Sequence, residues 1–371
     1  MAVPNLEGTP NRKRLMNCMD YSFPAKGLAR KVKSGLPDFL VTVVIPTLAA
    51  DSRLLECVQS LLRQTRQDLE VVIVDNSGQG LVRRNATGAG ARVIENTANA
   101  GFGAAVNQGI RASTSPYVAT LNDDAVARPD WLESLVAALE ARPDAGMCAS
   151  QVRLFGEPRL DSAGMLVARD GSSKQRGHGK PPEDFPVTEE ALMASGSAAL
   201  YRRAMLDEIG GFDDDFFLYC EDTDLGLRAR WAGWKCLYVP GAVVEHHYSH
   251  SAGSASPIKA YYVERNRLFV LVKNFPGRML FAAPFVAMAR YLWHAWYILK
   301  GQGSAARFRA EGNAGPKMLW YVMRAHFALA GNFGRLWRQR REIRSRARIT
   351  PAVFGRLLRS HAISARRMAA L

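Results

Sequence analysis

From residue 39 onward, short β-branched runs alternate with amphipathic helical segments, and this alternation restricts the possible folds more than any other feature. Phe39-Leu-Val-Thr-Val-Val-Ile-Pro46 is an almost unbroken apolar run, as expected of a strand covered on both faces. Residues 52–66 follow with Leu54, Leu55, Val58, Leu61 and Leu62 at helical spacing. Strands are then predicted over 69–75, 92–95 and 117–121, and helices over 102–112 and 129–141. That order builds a largely parallel sheet with helices on both faces, an α/β architecture of the nucleotide-binding kind.

After Gly146 the pattern breaks into strand-like pieces and loops. A Gly/Ser/Lys/Pro-rich stretch at 170–184 reads as a mobile loop over a site. The α/β module is expected to close near Phe275-Pro276, giving a basic leader at 1–38, a catalytic-type domain at 39–276 and a helical, basic extension at 277–371. Segment 279–299 is long enough to span a bilayer. Pro284, Arg290 and His294 interrupt it, however, and a central Arg costs about 2.5–3.5 kcal/mol on insertion. With Trp293, Trp296 and Tyr297 it suits a membrane interface better, and an ordinary core helix is the alternative. A further helix is expected over 318–330.

Net charge is +15, and from 301 to 371 fifteen Lys and Arg face only Glu311 and Glu342. Such a tail calls for a polyanionic partner, either an anionic membrane or nucleic acid. The five cysteines are scattered with no CxxC pair, which argues against a disulfide framework or a zinc site and for a reducing compartment. Arg12, Lys13 and Arg14 lie in a polar stretch, so the N-terminus lacks the apolar core of a signal peptide.

Ligands of doubly wound sheets sit at the carboxyl ends of the strands. Pro46-Thr47, Asp75-Asn76 and Asn122-Asp123-Asp124 fall there. Asp75 suits either a base or ribose contact or a turn cap. Adjacent carboxylates at Asp123 and Asp124 repel unless a donor or a cation lies between them, although Asp123 also suits a helix cap. Mg²⁺ or Mn²⁺, shared with diphosphate oxygens, would resolve the conflict. Asn99-Ala-Gly101-Phe-Gly103 opens a helix containing Asn107, an arrangement that lets backbone N–H groups approach a phosphate. No GxGxxG motif with a distal acid and no GxxxxGK[ST] motif is present, so dinucleotide and ATP sites have no support.

Against the positive balance, eight of the 34 acids fall between Asp207 and Asp224, interleaved with Gly and aromatic residues. These carboxylates sit on a packed framework, where Glu221-Asp222 opens a helix. A helix start favours an ionised carboxylate, and either a cap or a catalytic base fits there. His246-His247 ends a strand, as either a structural or a metal-facing pair.

Taken together, Val-Val-Ile-Pro-Thr, Val-Val-Ile-Val-Asp-Asn, Asn-Ala-Gly-Phe-Gly with Asn-Gln-Gly, Leu-Asn-Asp-Asp, Gly-Gly-Phe-Asp with Phe-Phe-Leu-Tyr-Cys-Glu-Asp-Thr-Asp-Leu, and Val-Pro-Gly-Ala-Val-Val-Glu-His-His resemble the inverting glycosyltransferases of family 2, which have a GT-A fold. The bacterial rhamnosyltransferase-like branch is most similar, over 41–276. The resemblance implies that Pro46, Thr47 and Asp75 face the nucleotide and that Asn122, Asp123 and Asp124 occupy the DxD position, with Asn122 toward ribose. It implies a Mg²⁺ or Mn²⁺ ion on Asp124 and His246, with Asp222 as the base and Glu221 beside it. The donor would be a dTDP-, UDP- or GDP-linked sugar and the acceptor a glycan or lipid-linked precursor. The enzyme would sit on the inner face of the cell membrane, held by its basic tail. A nucleic-acid-binding reading of that tail leaves the acidic cassette unexplained. A nucleotidyltransferase would need a basic Gly-rich loop where Leu48-Ala-Ala-Asp-Ser-Arg53 stands.

Overall fold

A computed structural model describes residues 39–88, 90–247, 257–303 and 315–370. The expected leader at 1–38 lies outside these residues. In chain order the elements are β1 (Val41–Thr47), α1 (Ser52–Leu62), β2 (Leu69–Asp75), α2 (Leu81–Arg84), β3 (Arg92–Glu95), α3 (Phe102–Arg111), β4 (Tyr117–Leu121), β5 (Ala125–Ala127) and α4 (Trp131–Ala141). Then come β6 (Ala145–Leu154), β7 (Leu160–Ser162), β8 (Met165–Val167), β9 (Ser173–Gln175), β10 (Glu189–Ala191), β11 (Ala198–Arg202), α5 (Arg203–Ile209), α6 (Glu221–Trp231) and β12 (Lys235–His246). The chain closes with α7 (Pro257–Asn274), α8 (Gly277–Leu299), α9 (Gly315–Ser345), α10 (Pro351–Ser360) and α11 (Ala365–Ala370).

One sheet runs β10-β12-β6-β11-β4-β1-β2-β3, with β5 beside β12 and β7 beside β6. The strands from β3 to β4 are parallel, and β6 is parallel to β12. The two blocks are joined by β11, antiparallel to both β4 and β6, so the sheet is mixed. Thr47 pairs with Asp75 and Val44 with Thr120, which brings the carboxyl ends of β1, β2 and β4 to one rim. On one face α1 and α4 pack Leu54, Val58, Leu61, Leu132 and Leu135 over Val43, Ile45 and Ile73. On the other, α3 and α6 bring Val106, Ile110, Leu225 and Ala229 onto Val44, Val72 and Val118.

Three features depart from the sequence reading. Helix α7 has no apolar periodicity in the sequence because Glu264, Asn266, Arg267 and Lys273 are buried within it. The expected mobile loop at 170–184 contains β9, which pairs with β8, and its Asp170 is fully buried under Arg267 and Arg290. The segment from 277 onward is not a body apart from 39–276. Ala283, Leu336, Phe354 and Leu358 share a core with Phe216, Leu227, Trp231, Phe269 and Phe275. Phe354 stacks on Trp231 at 3.9 Å, while the Arg344 guanidinium lies 3.3 Å from the centre of the same indole and donates to the carbonyls of Asn274 and Phe275. Part of the tail's positive charge is engaged internally: Arg340 donates to Val272 O, Arg335 pairs with Asp215, and Arg348 pairs with Glu208.

Among the described residues no helix is long and apolar enough to cross a membrane. Arg290, which interrupts α8, is buried between Asp170 (2.7 Å) and Glu264 (3.0 Å). Two acids and two guanidiniums, with Arg267, close this group. The partners satisfy charges whose burial alone would be costly. On its outer side α8 exposes Phe281, Phe285, Met288, Leu292, Trp296 and Leu299, a single helical stripe.

Candidate active site

Strand register places the first group of residues. Asn122, just past β4, donates its backbone N–H to Ser197 O at 2.9 Å, and β12 pairs His246 with Ala125 of β5. His246 Nε2 therefore lies 3.1 Å from Asp124 Oδ1 and 3.1 Å from Asn122 Nδ2. Its Nδ1 lies 2.9 Å from Asp161 Oδ2, on β7. Burial opposes a charge on this ring, but the carboxylates of Asp124 and Asp161 outweigh it and raise the His246 pKa to about 10. Asp161 is itself buried, yet its histidine partners, His178 and His246, hold its carboxyl down at about 2.

Asp124 and His246 are thus together, as the sequence reading expected. Once a cation displaces the proton from Nε2, one carboxylate and one imidazole, the ring fixed by a carboxylate on its far nitrogen, would form a donor pair for a divalent ion. Among the described residues no group of three or more His, Cys, Asp or Glu side chains surrounds a metal position. Two protein donors leave the other positions to phosphate oxygens and water, the usual arrangement for Mg²⁺.

Asp123 points elsewhere. Its Oδ2 accepts from Thr47 Oγ1 at 2.6 Å. Burial, only partly offset by that bond, raises its pKa to about 6. Pro46 and Thr47 end β1 at the same rim. Asn122, expected toward ribose, has its side-chain amide beside His246 Nε2.

Two residues assigned to the donor from sequence are engaged in the framework. Asp75 accepts from the backbone N–H of Ser77 and of Val82, both at 2.9 Å, so both carboxylate oxygens cap the turn into α2. Burial would raise its pKa, but these donors bring it below the ordinary value. Asn107 donates to Phe212 O (2.8 Å) and Asp214 Oδ1 (2.7 Å) and accepts from Phe212 N (2.9 Å), which ties α3 to the Gly210–Asp215 turn. Asn99 caps Gly101 N at 2.9 Å.

Gly101 is required for steric reasons. At φ +89° a Cβ would stand 2.3 Å from Phe217 O, the carbonyl that accepts from Phe102 N. Gly101→Ala should lower the denaturant midpoint by an amount equivalent to roughly 1–3 kcal/mol. An unchanged midpoint would mean that the 217–220 loop yields without cost.

That loop leads to the acidic pair. Phe217, Tyr219 and Cys220 all have left-handed φ (62°, 68° and 65°), a conformation that non-glycine residues adopt at a cost and that concentrates at functional sites. Buried Asn266 holds the strained loop, its Nδ2 lying 2.7–2.9 Å from the carbonyls of Phe216, Leu218 and Tyr219. Asp222 follows on the first turn of α6. Its Oδ2 accepts from Gly196 N (3.0 Å) and its Oδ1 from Thr223 N (2.6 Å). Gly196 precedes Ser197, the partner of Asn122, so one short segment joins the carboxylate pair to the strand-end group. Glu221 is buried, and its Oε2 has no hydrogen-bond partner among the described residues. Burial raises the pKa of both acids, and for Glu221 the neighbouring Asp222 charge adds to it.

Asp161, Gly196 and Asn266 went unnoticed in the sequence. Asp161 stands in a three-residue strand without a motif, and Asn266 is masked by flanking arginines. Only the Ser195-Gly196-Ser197 run carried a local signal. Arg202 and Arg203 donate to the carbonyls of Leu139, Ala145 and Ser115.

Residues 42–210 match glycosyl transferase family 2. The N-acetylglucosaminyl-diphospho-decaprenol L-rhamnosyltransferase of Mycobacterium tuberculosis (strain ATCC 25618 / H37Rv) is 29% identical over 257 residues, 60% of this chain and 81% of the relative. The O-antigen chain rhamnosyltransferase WbaN of Salmonella anatum is 25% identical over 222 residues, 58% of this chain and 68% of the relative. Among solved structures, GalNAc-T7 with UDP, GalNAc and Mn²⁺ shares the fold, with a TM-score of 0.52 at 15% identity over 80% of this chain and 58% of that one. The matched segment carries the strand ends that build the rim, and over those residues the chain is similar to the glycosyltransferases of family 2.

Proposed function

We propose that the enzyme transfers a sugar, rhamnose being favoured by its relatives, from a nucleoside-diphosphate donor to a lipid-linked glycan precursor, with inversion at the anomeric carbon. The observation that carries this reading is that consecutive residues bind both groups: Gly196 N donates to Asp222, and Ser197 O accepts from Asn122 N, at the start of the turn that holds Asp124. Asp222 takes the proton of the acceptor hydroxyl as that oxygen bonds to the anomeric carbon. The bond from that carbon to the diphosphate breaks on the opposite side, and the nucleoside diphosphate departs. Burial strengthens Asp222 as a base, while the Gly196 and Thr223 donors fix its orientation. The unpartnered Glu221 oxygen is a costly vacancy that an acceptor donor group would fill. Asp124 and His246 are the residues to hold Mg²⁺ or Mn²⁺, which when bound neutralises the leaving diphosphate. Thr47 keeps Asp123 out of that role.

The relatives point to cell-surface polysaccharide synthesis, where the acceptor is met at the cytoplasmic side of the membrane. The exposed apolar stripe of α8 supports peripheral contact with an anionic bilayer. This stripe replaces the basic tail as the contact favoured by the packing.

Thermal shift against dTDP-, UDP- and GDP-sugars, with and without Mn²⁺, tests donor and metal together. One nucleotide sugar should raise Tm, and more so with Mn²⁺, since binding to the folded state alone stabilises it. His246→Ala should lose the metal-dependent part. No shift with any nucleotide sugar would remove the reading.

A further inference from the structure

The strained loop before Glu221 faces a set of cations seated on aromatic rings that the donor chemistry does not use. The Arg324 guanidinium carbon lies 4.4 Å from the centre of the Tyr261 ring, and that of Arg265 lies 4.6 Å from Tyr262 and 5.9 Å from Tyr261. Lys259 Nζ lies 5.7 Å from the centre of the Tyr219 ring. The Tyr262 ring in turn packs on Phe217 at 5.2 Å and on Tyr261 at 5.1 Å. Phe217 and Tyr219 are the left-handed residues that lead directly into Glu221 and Asp222. The cluster therefore abuts the acceptor side of the base, on the first turns of α7.

Among the described residues neither Arg324 nor Arg265 has a carboxylate within ion-pair distance. Arg265 donates to the carbonyls of Asp215 and Phe216 and to Asn266 Oδ1, which position it without neutralising it. Like charges gathered on one patch call for an anion.

Apolar side chains border the same patch. Ile258 on α7 is exposed, and so are Leu319, Trp320, Met323 and Phe327 on α9, on either side of Arg324. A basic–aromatic patch rimmed by exposed apolar residues matches an amphiphile with an anionic head at the bilayer surface and a hydrocarbon tail within it.

We infer that Arg265 and Arg324, seated on Tyr261 and Tyr262, bind the diphosphate of a prenyl-diphosphate-linked acceptor and so set its sugar beside Asp222. This rests on the proposed lipid-linked acceptor and adds its recognition group. Arginine suits the role because its planar fork meets phosphate oxygens in pairs, and the rings hold the guanidinium in place before the ligand arrives.

The test uses the full chain in EDTA, so that the donor site cannot hold diphosphate through a cation. Sedimentation is measured with phosphatidylcholine vesicles carrying a prenyl diphosphate, and with vesicles carrying phosphatidylglycerol at matched surface charge. The wild type should prefer the diphosphate vesicles. Arg324→Gln should reduce that binding by roughly tenfold or more, the usual effect of losing a charged hydrogen bond. Arg324→Lys should recover part of it, and an unaltered melting transition shows that each variant is folded. Equal binding to both vesicle types would reduce the effect to membrane electrostatics and overturn the inference, as would variants that bind like the wild type. Nucleotide-sugar thermal shifts keep the two readings apart. Shifts without diphosphate preference sink only this inference, whereas diphosphate preference without any shift sinks the transferase mechanism and leaves the site standing.

Discussion

Asp222→Asn is expected to reduce kcat by about 10²–10⁴-fold, the range for removing a general base, with the donor-induced thermal shift close to wild type. The amide is nearly isosteric, and its oxygen can still accept from the Gly196 or Thr223 backbone, so the first turn of α6 should remain in place. What disappears is the proton acceptor. Substituting Glu221 with Gln is a different experiment, because it supplies N–H donors to a buried position that now holds an unpartnered oxygen. It should weaken acceptor use more than donor binding. Should Asp222→Asn keep near-normal turnover with intact donor binding, the base must be sought elsewhere in the cleft, and Glu221 would be the first candidate.

Ending the chain after Lys300 is expected to abolish a cooperative melting transition. Leu336, Phe354 and Leu358 are fully or almost fully buried, and they cover Trp231, Phe269 and Phe275. Removing one such side chain costs roughly 2–5 kcal/mol, and domain stabilities are only about 5–15 kcal/mol. Loss of all three, together with the Arg344 bonds to Asn274 and Phe275, exceeds that range. The sequence suggested a detachable basic anchor whose deletion would simply free the enzyme from lipid. A truncated chain that melts cooperatively near the wild-type temperature would restore that view. Circular dichroism with temperature is sufficient to decide.

Much of the site could be read directly from residue order. Asp124, His246 and Asp222 fall at element ends, where local periodicity stops and side chains of unusual chemistry stand out. Strand β2 and strand β4 have the predicted limits, because buried parallel strands advertise themselves as apolar runs. Asp75 and Asn107, expected at the donor, show framework bonds that residue type alone does not reveal. A polar residue at a strand end or in a helix serves a ligand or a turn equally well by type, and only the positions of Val82 N and Phe212 N separate the two. Segment 170–184 suffered the same ambiguity. Its Gly and Ser residues suggest mobility, yet Asp170 is fixed by two arginines about a hundred or more positions downstream in the chain.

By itself the sequence determined the alternating α/β core, the rim of polar residues at the strand ends and the acidic run that holds the proposed base. These depend on period, residue type and spacing, all of which are local. The tertiary structure alone decided that Asp161 orients His246, that Asn266 holds the strained loop behind Glu221, and that the arginine-rich tail is a wall of the catalytic body. Each of these joins residues distant in sequence through one hydrogen bond or one stacked ring. Such contacts leave no periodic trace, because a single buried partner changes the environment of a residue without changing the pattern around it.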